Sequence, residues 1–139
     1  VTNKPQVLIV EDEVLVGREL KEAFQTIGCQ VSAVVPSGEE ALSQISRQRP
    51  DLVIMDIVLR GKMDGIETAT EIHRRWTVPV VFLTAFADKS MHELALMSEP
   101  VAILYKPVTQ AQLRQAISLA LFPNGPSREN PRQPSLWPN

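Results

Sequence analysis

Asp51-Leu52-Val53-Ile54-Met55-Asp56 sets the architecture of the chain. Four apolar residues stand between two acids, directly after Pro50, and such a short run reads as a buried strand. Asp56 then marks the point where the strand leaves the core. Residues 57–63 read as a loop, and Asp64-Gly65-Ile66-Glu67 as the start of a helix. In an open α/β sheet, ligands bind outside the carboxyl ends of the strands. A carboxylate at that place can be a nucleophile, a metal ligand or a plain loop acid, and the stretch alone does not choose.

Upstream, Gln6-Val7-Leu8-Ile9-Val10 is a second apolar run, ending in Glu11-Asp12-Glu13. Leu15, Val16, Leu20, Ala23, Phe24 and Ile27 then fall on one helical stripe, and Gly28 is placed to stop it. Val31 to Val35 reads as a strand, and Pro36 directly after it suits an edge. Ser37 with Glu40 has capping-box spacing and opens a helix carrying Ala41, Leu42 and Ile45.

Downstream, the helix from Asp64 buries Ile66, Ala69 and Ile72 and ends near Trp76. Pro79 to Leu83 is a strand that delivers Thr84, followed by the loop Ala85-Phe86-Ala87. A helix from about Ser90 carries Leu94 and Met97 and stops before Pro100. Val101 to Tyr105 is the last strand, ending at Lys106-Pro107. Thr109 with Gln112 caps a final helix whose inner face holds Leu113, Ala116, Ile117, Ala120 and Leu121. After Pro123 the composition turns polar and proline-punctuated, which reads as a linker or disordered tail over 123–139.

Strands alternating with helices predict an α/β domain over residues 5–122: a doubly wound five-stranded parallel sheet with helices on both faces. The chain has 139 residues, 44% of them hydrophobic, enough for one ordinary core. A net charge of −2 gives no footprint for direct nucleic acid binding or for an acidic membrane. No apolar run approaches the ~18 residues of a membrane span. The single cysteine, Cys29, excludes an internal disulfide framework and suits a reducing cytoplasm.

In such a sheet Glu11, Asp12, Asp56, Thr84 and Lys106 all leave strands at one edge. If the first and third strands are neighbours, the acids meet at the topological switch point. Clustered carboxylates repel unless a cation sits among them, and a hard divalent ion such as Mg²⁺ is the obvious guest. Cation, ammonium and hydroxyl together would form a receptor for a phosphoryl group, with Asp56 the best nucleophile present.

The sequence resembles the receiver domain of two-component response regulators. The resemblance rests on Glu11-Asp12, Asp56, Thr84-Ala85 and Lys106-Pro107, each after its strand and in the right order. It implies a flavodoxin-like sheet with strand order 2-1-3-4-5. It implies Asp56 as acceptor of a phosphoryl group from a histidine kinase or histidine phosphotransfer domain. It implies Mg²⁺ (or Mn²⁺) held by Asp12, Asp56 and the main-chain carbonyl of Val58, with Glu11 acting mainly through water. Lys106 and Thr84 would bind phosphoryl oxygens, and Lys106–Pro107 would be cis. The switch would involve Thr84, Ala85, Phe86, Ile103 and Tyr105, and helix 4, strand 5 and helix 5 are the expected surface for a homodimer or another partner.

Three departures stand out. The loop after Asp56 is one residue longer than the commonest pattern and carries Arg60-Gly61-Lys62 where a proline is usual. The aromatic often found three residues before the lysine is Ile103, with Tyr105 nearby. Glu99-Pro100 replaces the usual Gly-Ala before the last strand. No DNA-binding pattern follows residue 122, so the output is expected in another chain or another part of the protein. A phosphorylation-independent pseudo-receiver is the second reading, and the full acid set with Lys106 speaks against it. An Asp-nucleophile phosphatase is the third, but it wants an acid at the position of Val58. A flavodoxin is weaker still, lacking a phosphate loop after the first strand. His73, His92, Cys29 and Trp76 read as structural or surface residues, and Trp137 as an exposed aromatic of the tail.

Overall fold

The computed structural model describes residues 4–85 and 87–122. The chain order is β1 (Gln6–Val10), α1 (Val14–Thr26), β2 (Gln30–Val35), α2 (Gly38–Arg47), β3 (Leu52–Met55), α3 (Gly65–Arg75), β4 (Val80–Thr84), α4 (Lys89–Met97), β5 (Ala102–Tyr105) and α5 (Gln110–Leu121). The strands form one parallel sheet in the order β2-β1-β3-β4-β5, as expected.

Alternation along each central strand feeds two cores. Leu8, Val10, Val53, Met55, Val80 and Phe82 face Ala41 and Ile45 of α2, Ala69 and Ile72 of α3, and Ala95 of α4. Val7, Ile9, Leu52, Ile54, Val81 and Leu83 face Leu20 and Phe24 of α1 and Leu113, Ala116 and Ile117 of α5. β3 is buried along its whole length because it is covered on both faces and paired on both edges. β2 is the edge that Pro36 suggests, and its register against β1 shifts between Val7 and Leu8.

The helix ends follow their caps with three differences from the sequence reading. Asp64–Glu67 and Thr109–Gln112 form complete capping boxes. Ser37 caps α2 through the Glu40 amide, but the Glu40 carboxylate meets the Ser37 hydroxyl and not its amide, so this box is half made. Leu15 is not on the buried stripe of α1: it is 71% exposed, about half a turn of the helix away from Phe24. Gly17 is buried in its place, since a Cβ there would stand 2.9 Å from the Val34 side chain. α4 begins one residue earlier than Ser90, capped by Asp88, and its Leu94 and Met97 are exposed while Ala95 is the buried contact. The expected tail, with Trp137, lies outside the described residues.

Candidate functional site

Three ladder contacts bring the strand-end residues together. The Glu11 amide donates to Val35 O (2.9 Å), the Asp56 amide to Val10 O (3.1 Å), and the Lys106 amide to Thr84 O (2.8 Å). Each residue is thus fixed by the last bond of its strand before the backbone turns away. The Lys106–Pro107 peptide is cis.

Asp56 sits at the middle of this edge with its side chain 11% exposed. Its Oδ1 accepts from the Thr84 hydroxyl (2.7 Å) and from the Val58 amide (3.1 Å). Its Oδ2 lies 3.5 Å from Lys106 Nζ. Lys106 turns mainly to Glu11, with Nζ 2.6 Å from Oε1, and the Glu13 amide donates to the other Glu11 oxygen (3.1 Å). Burial pushes the Glu11 carboxyl above the usual carboxylate range, and its hydrogen bonds from Lys106 and Glu13 only partly offset that. Burial also opposes the charge on Lys106, but the hydrogen bond to Glu11 and the charges of Asp56 and Glu11 outweigh it and raise its pKa.

The three acids therefore do not crowd around one point. Among the described residues, no three His, Cys, Asp or Glu side chains stand close enough to hold an ion by themselves. Glu11 is engaged with the lysine, while Asp12 and Asp56 line one cavity with Val58, Thr84 and Ala85. Asp12 Oδ2 accepts from the Arg60 amide (3.3 Å) and lies 3.5 Å from Arg60 Nε. The donor set is all oxygen: two carboxylates, with the Val58 carbonyl nearby in the chain. That chemistry fits a hard divalent ion that keeps several waters, as Mg²⁺ does.

Of the expected switch residues, Ile103 is half-buried against the α2–α3 core, and Tyr105 is 39% exposed. The Tyr105 ring stacks on His92 of α4 at 6.0 Å, with its hydroxyl 2.6 Å from Nδ1. Phe86 lies outside the described residues. Two contacts of the long β3–α3 loop escape the sequence reading. One is the Arg60–Asp12 pair. The other is Glu39 of α2, which stands against Gly61, a residue at φ 108. The Glu39 carboxyl is held below its usual range by its own amide first, with the Ser37 hydroxyl and the Met63 and Lys62 amides adding to the effect against some desolvation. Neither contact leaves a periodic signal. The non-proline Arg60-Gly61-Lys62 is the one visible hint.

Comparison with known proteins agrees with this geometry. The pattern of the response regulator receiver domain matches residues 7–118. The transcriptional regulatory protein PdtaR of Mycobacterium tuberculosis is 37% identical over 116 residues, covering 84% of this chain and 56% of that protein. The probable C4-dicarboxylate response regulator DctR of Bacillus subtilis is 35% identical, covering 81% of this chain and 50% of that protein. The chain thus spans about half the length of the curated relatives it matches. Among solved structures, the signal receiver domain of a modulated diguanylate cyclase from Desulfovibrio desulfuricans superposes with a TM-score of 0.81 at 34% identity, covering 86% of this chain and 94% of that one. The BeF3-activated receiver domain of Klebsiella pneumoniae RstA gives 0.77 at 31%, covering 84% and 98%. No helix among the described residues is long and apolar enough to cross a membrane. With the strand ends converging on one aspartate and a family pattern spanning the whole sheet, the chain belongs to the response regulator receiver domains of two-component signalling.

Proposed function

We propose that this receiver is switched by transfer of a phosphoryl group onto Asp56 from a histidine kinase or histidine phosphotransfer domain. The observation that carries the reading is the environment of the Asp56 carboxylate. One oxygen is oriented by Thr84 and the Val58 amide, the other faces Lys106, and the group opens into the cavity shared with Asp12. Asp12, Asp56 and the Val58 carbonyl would hold Mg²⁺, with Mn²⁺ an alternative, and Glu11 would act through Lys106 and water. When bound, the ion would supply positive charge against the anionic phosphoryl oxygens. An Asp56 oxygen forms the bond to phosphorus as the donor's P–N bond breaks, and the electron pair leaves with the imidazole. Lys106 and the Thr84 hydroxyl answer the new charge, which by analogy with other phosphorylated side chains is roughly two units.

Those two groups sit on β4 and just after β5, so the response should pass into the loop at Ala85 and Phe86 and into α4. Ile103 is stiff at χ1 and is expected to keep one rotamer. The surface of α4, β5 and α5 would serve a homodimer or another partner, with the exposed Leu96 or Met97 and Tyr105 as its contacts. A regulatory output of the kind named for PdtaR would then lie outside this domain. Incubation with acetyl phosphate and Mg²⁺, followed by intact mass, should show a single added phosphoryl group that Asp56→Asn abolishes. Labelling that survives in Asp56→Asn defeats the assignment. Methyl NMR with beryllofluoride should move signals from Thr84 to Tyr105, and a rotamer change at Ile103 would refute this route.

A further inference from the structure

Arg60 belongs to the loop segment that departs from the common receiver pattern, and it is placed by contacts on both sides. Ahead of it, Val58 is tied to Asp56. Behind it, Gly61 turns through a left-handed conformation against the Glu39 carboxylate of α2. Between these anchors, both the Arg60 amide and its guanidinium Nε reach the same atom, Oδ2 of Asp12, at 3.3 and 3.5 Å. Asp12 is largely buried, with its side chain 13% exposed, while the Arg60 side chain is 88% exposed. Both residues line the cavity that holds Asp56.

We propose that Arg60 is a built-in competitor for the metal, a side-chain cation that pairs with Asp12 until a divalent ion displaces it. The inference rests on the reading that Asp12 and Asp56 bind Mg²⁺. Two cations drawn to one carboxylate oxygen repel each other, so Mg²⁺ and the guanidinium cannot both have full use of Oδ2. Mg²⁺ demands short oxygen contacts in near-ideal octahedral geometry, which fixes how Oδ2 must face the ion. By linkage, whatever Arg60 takes from the metal's affinity, the metal takes from the Arg60 pairing. The arrangement lowers Mg²⁺ affinity and ties it to ionic strength. It also frees a guanidinium at the cavity mouth when the ion arrives. The pair is exposed on the arginine side, so the effect is modest.

The test is Mg²⁺ titration of the full chain, stripped of metal with a chelator and followed by calorimetry. Wild type is compared with Arg60→Ala, Arg60→Lys and Lys62→Ala. Lys62 carries the same charge in the same loop but makes no ion pair among the described residues. Arg60→Ala should bind Mg²⁺ about two- to fivefold more tightly, the range an exposed ion pair supports. Arg60→Lys should fall between it and wild type, and Lys62→Ala should match wild type. The gap between wild type and Arg60→Ala should shrink as salt rises from about 0.05 to about 0.5 M. The metal-free melting temperature should stay within about 2 °C of wild type, because so exposed a side chain adds little to the fold. Equal affinity of wild type and Arg60→Ala overturns the inference and leaves the metal reading standing. A gain in Lys62→Ala as large as in Arg60→Ala reduces it to net charge and also overturns it. If none of the four proteins binds Mg²⁺, the metal reading falls and takes this inference with it.

Discussion

Helix α3 and helix α4 flank the same sheet face, yet they are built differently. α3 has a complete capping box and buries Gly65, Thr68, Ala69 and Ile72. It follows β3, whose four residues are all buried. α4 buries only Ala95 and exposes Leu94, Leu96 and Met97. It precedes β5, an edge strand that is half-buried and ends on an exposed Tyr105. Local stability follows the density of buried apolar contacts. The half that carries Asp56 is therefore a densely packed frame and the half that carries Lys106 is looser, which under the proposed function makes the looser half the responder. The proposed transfer to Asp56 would use both, an aspartate held in place and neighbours able to shift toward it.

The largest effect is expected at Gly65, inside the frame. Its amide donates to Ile57 O (2.9 Å), and a Cβ there would stand 2.0 Å from the Asp56 carbonyl oxygen. Main-chain atoms on a buried turn cannot step aside. Gly65→Ala should cost about 3 kcal/mol or more. At about 4–8 °C per kcal/mol for a small domain, the melting temperature should fall by more than about 10 °C. A fall of a degree or two would mean that the junction of β3 and α3 is as pliable as α4.

Next in size are matched truncations in the two helices. Ile72 in α3 is fully buried, and Ile72→Ala should cost about 2–5 kcal/mol in denaturant unfolding. Leu94 in α4 is 53% exposed, and Leu94→Ala should change stability by no more than about 0.5 kcal/mol. Comparable losses from the two would abolish the distinction.

The same contrast explains which features are legible in the sequence. Strands β1, β3 and β4 are continuous apolar runs ended by Glu11, Asp56 and Thr84, so the strands and the residues at their carboxyl edge follow from burial, while the order in which they pair is implied by the receiver resemblance. The partners across that edge do not. That Glu11 turns a carboxylate oxygen to Lys106, 95 positions away, depends on side-chain reach, which carries no periodicity. Arg60 and Glu39 act from a loop and a first helical turn, where hydrophobic pattern is silent. Leu15 misleads because an apolar residue beside a buried stripe looks like a member of it. Leu94 and Met97 lie on a helix whose inner face is narrow, reduced to Ala95 with Met91 partly covered.

A third probe asks whether the opposite sheet face is as closed as the frame around Asp56. Cys29, between α1 and β2, is 3% exposed and packs with Phe24 and Ile27 in the second core. Desolvation pushes its thiol up to about 12. A raised folded pKa means that the neutral thiol's contribution is whole below the ordinary value of 9.0 and is lost as pH climbs toward 12. The native protein should resist alkylation at about pH 8, just below the free-thiol pKa, and react at once in urea. Thermal stability should decline at alkaline pH less steeply in Cys29→Ala than in wild type. Rapid native-state alkylation would show that this face opens readily and that the frame is confined to β3 and α3.

The smallest expected effect bears most directly on the responsive half. His92 Nδ1 and the Tyr105 hydroxyl lie 2.6 Å apart with their rings stacked, joining α4 to β5 at the surface. A net hydrogen bond contributes about 0.5–1.5 kcal/mol, and exposure to water puts this one at the low end. Tyr105→Phe keeps the ring and removes the hydroxyl, so global stability should fall by about 0.5 kcal/mol. The useful readout is local. α4 has so little burial that its opening is set by a few contacts, and losing one should speed amide exchange across Lys89–Met97 about twofold. α3 draws its protection from Ala69, Ile72 and its capping box, so amides in Gly65–Arg75 should exchange as before. Exchange that rises equally in both helices would mean they open as one unit. The division into frame and responder would then fail where the two helices are most alike, on a shared sheet face.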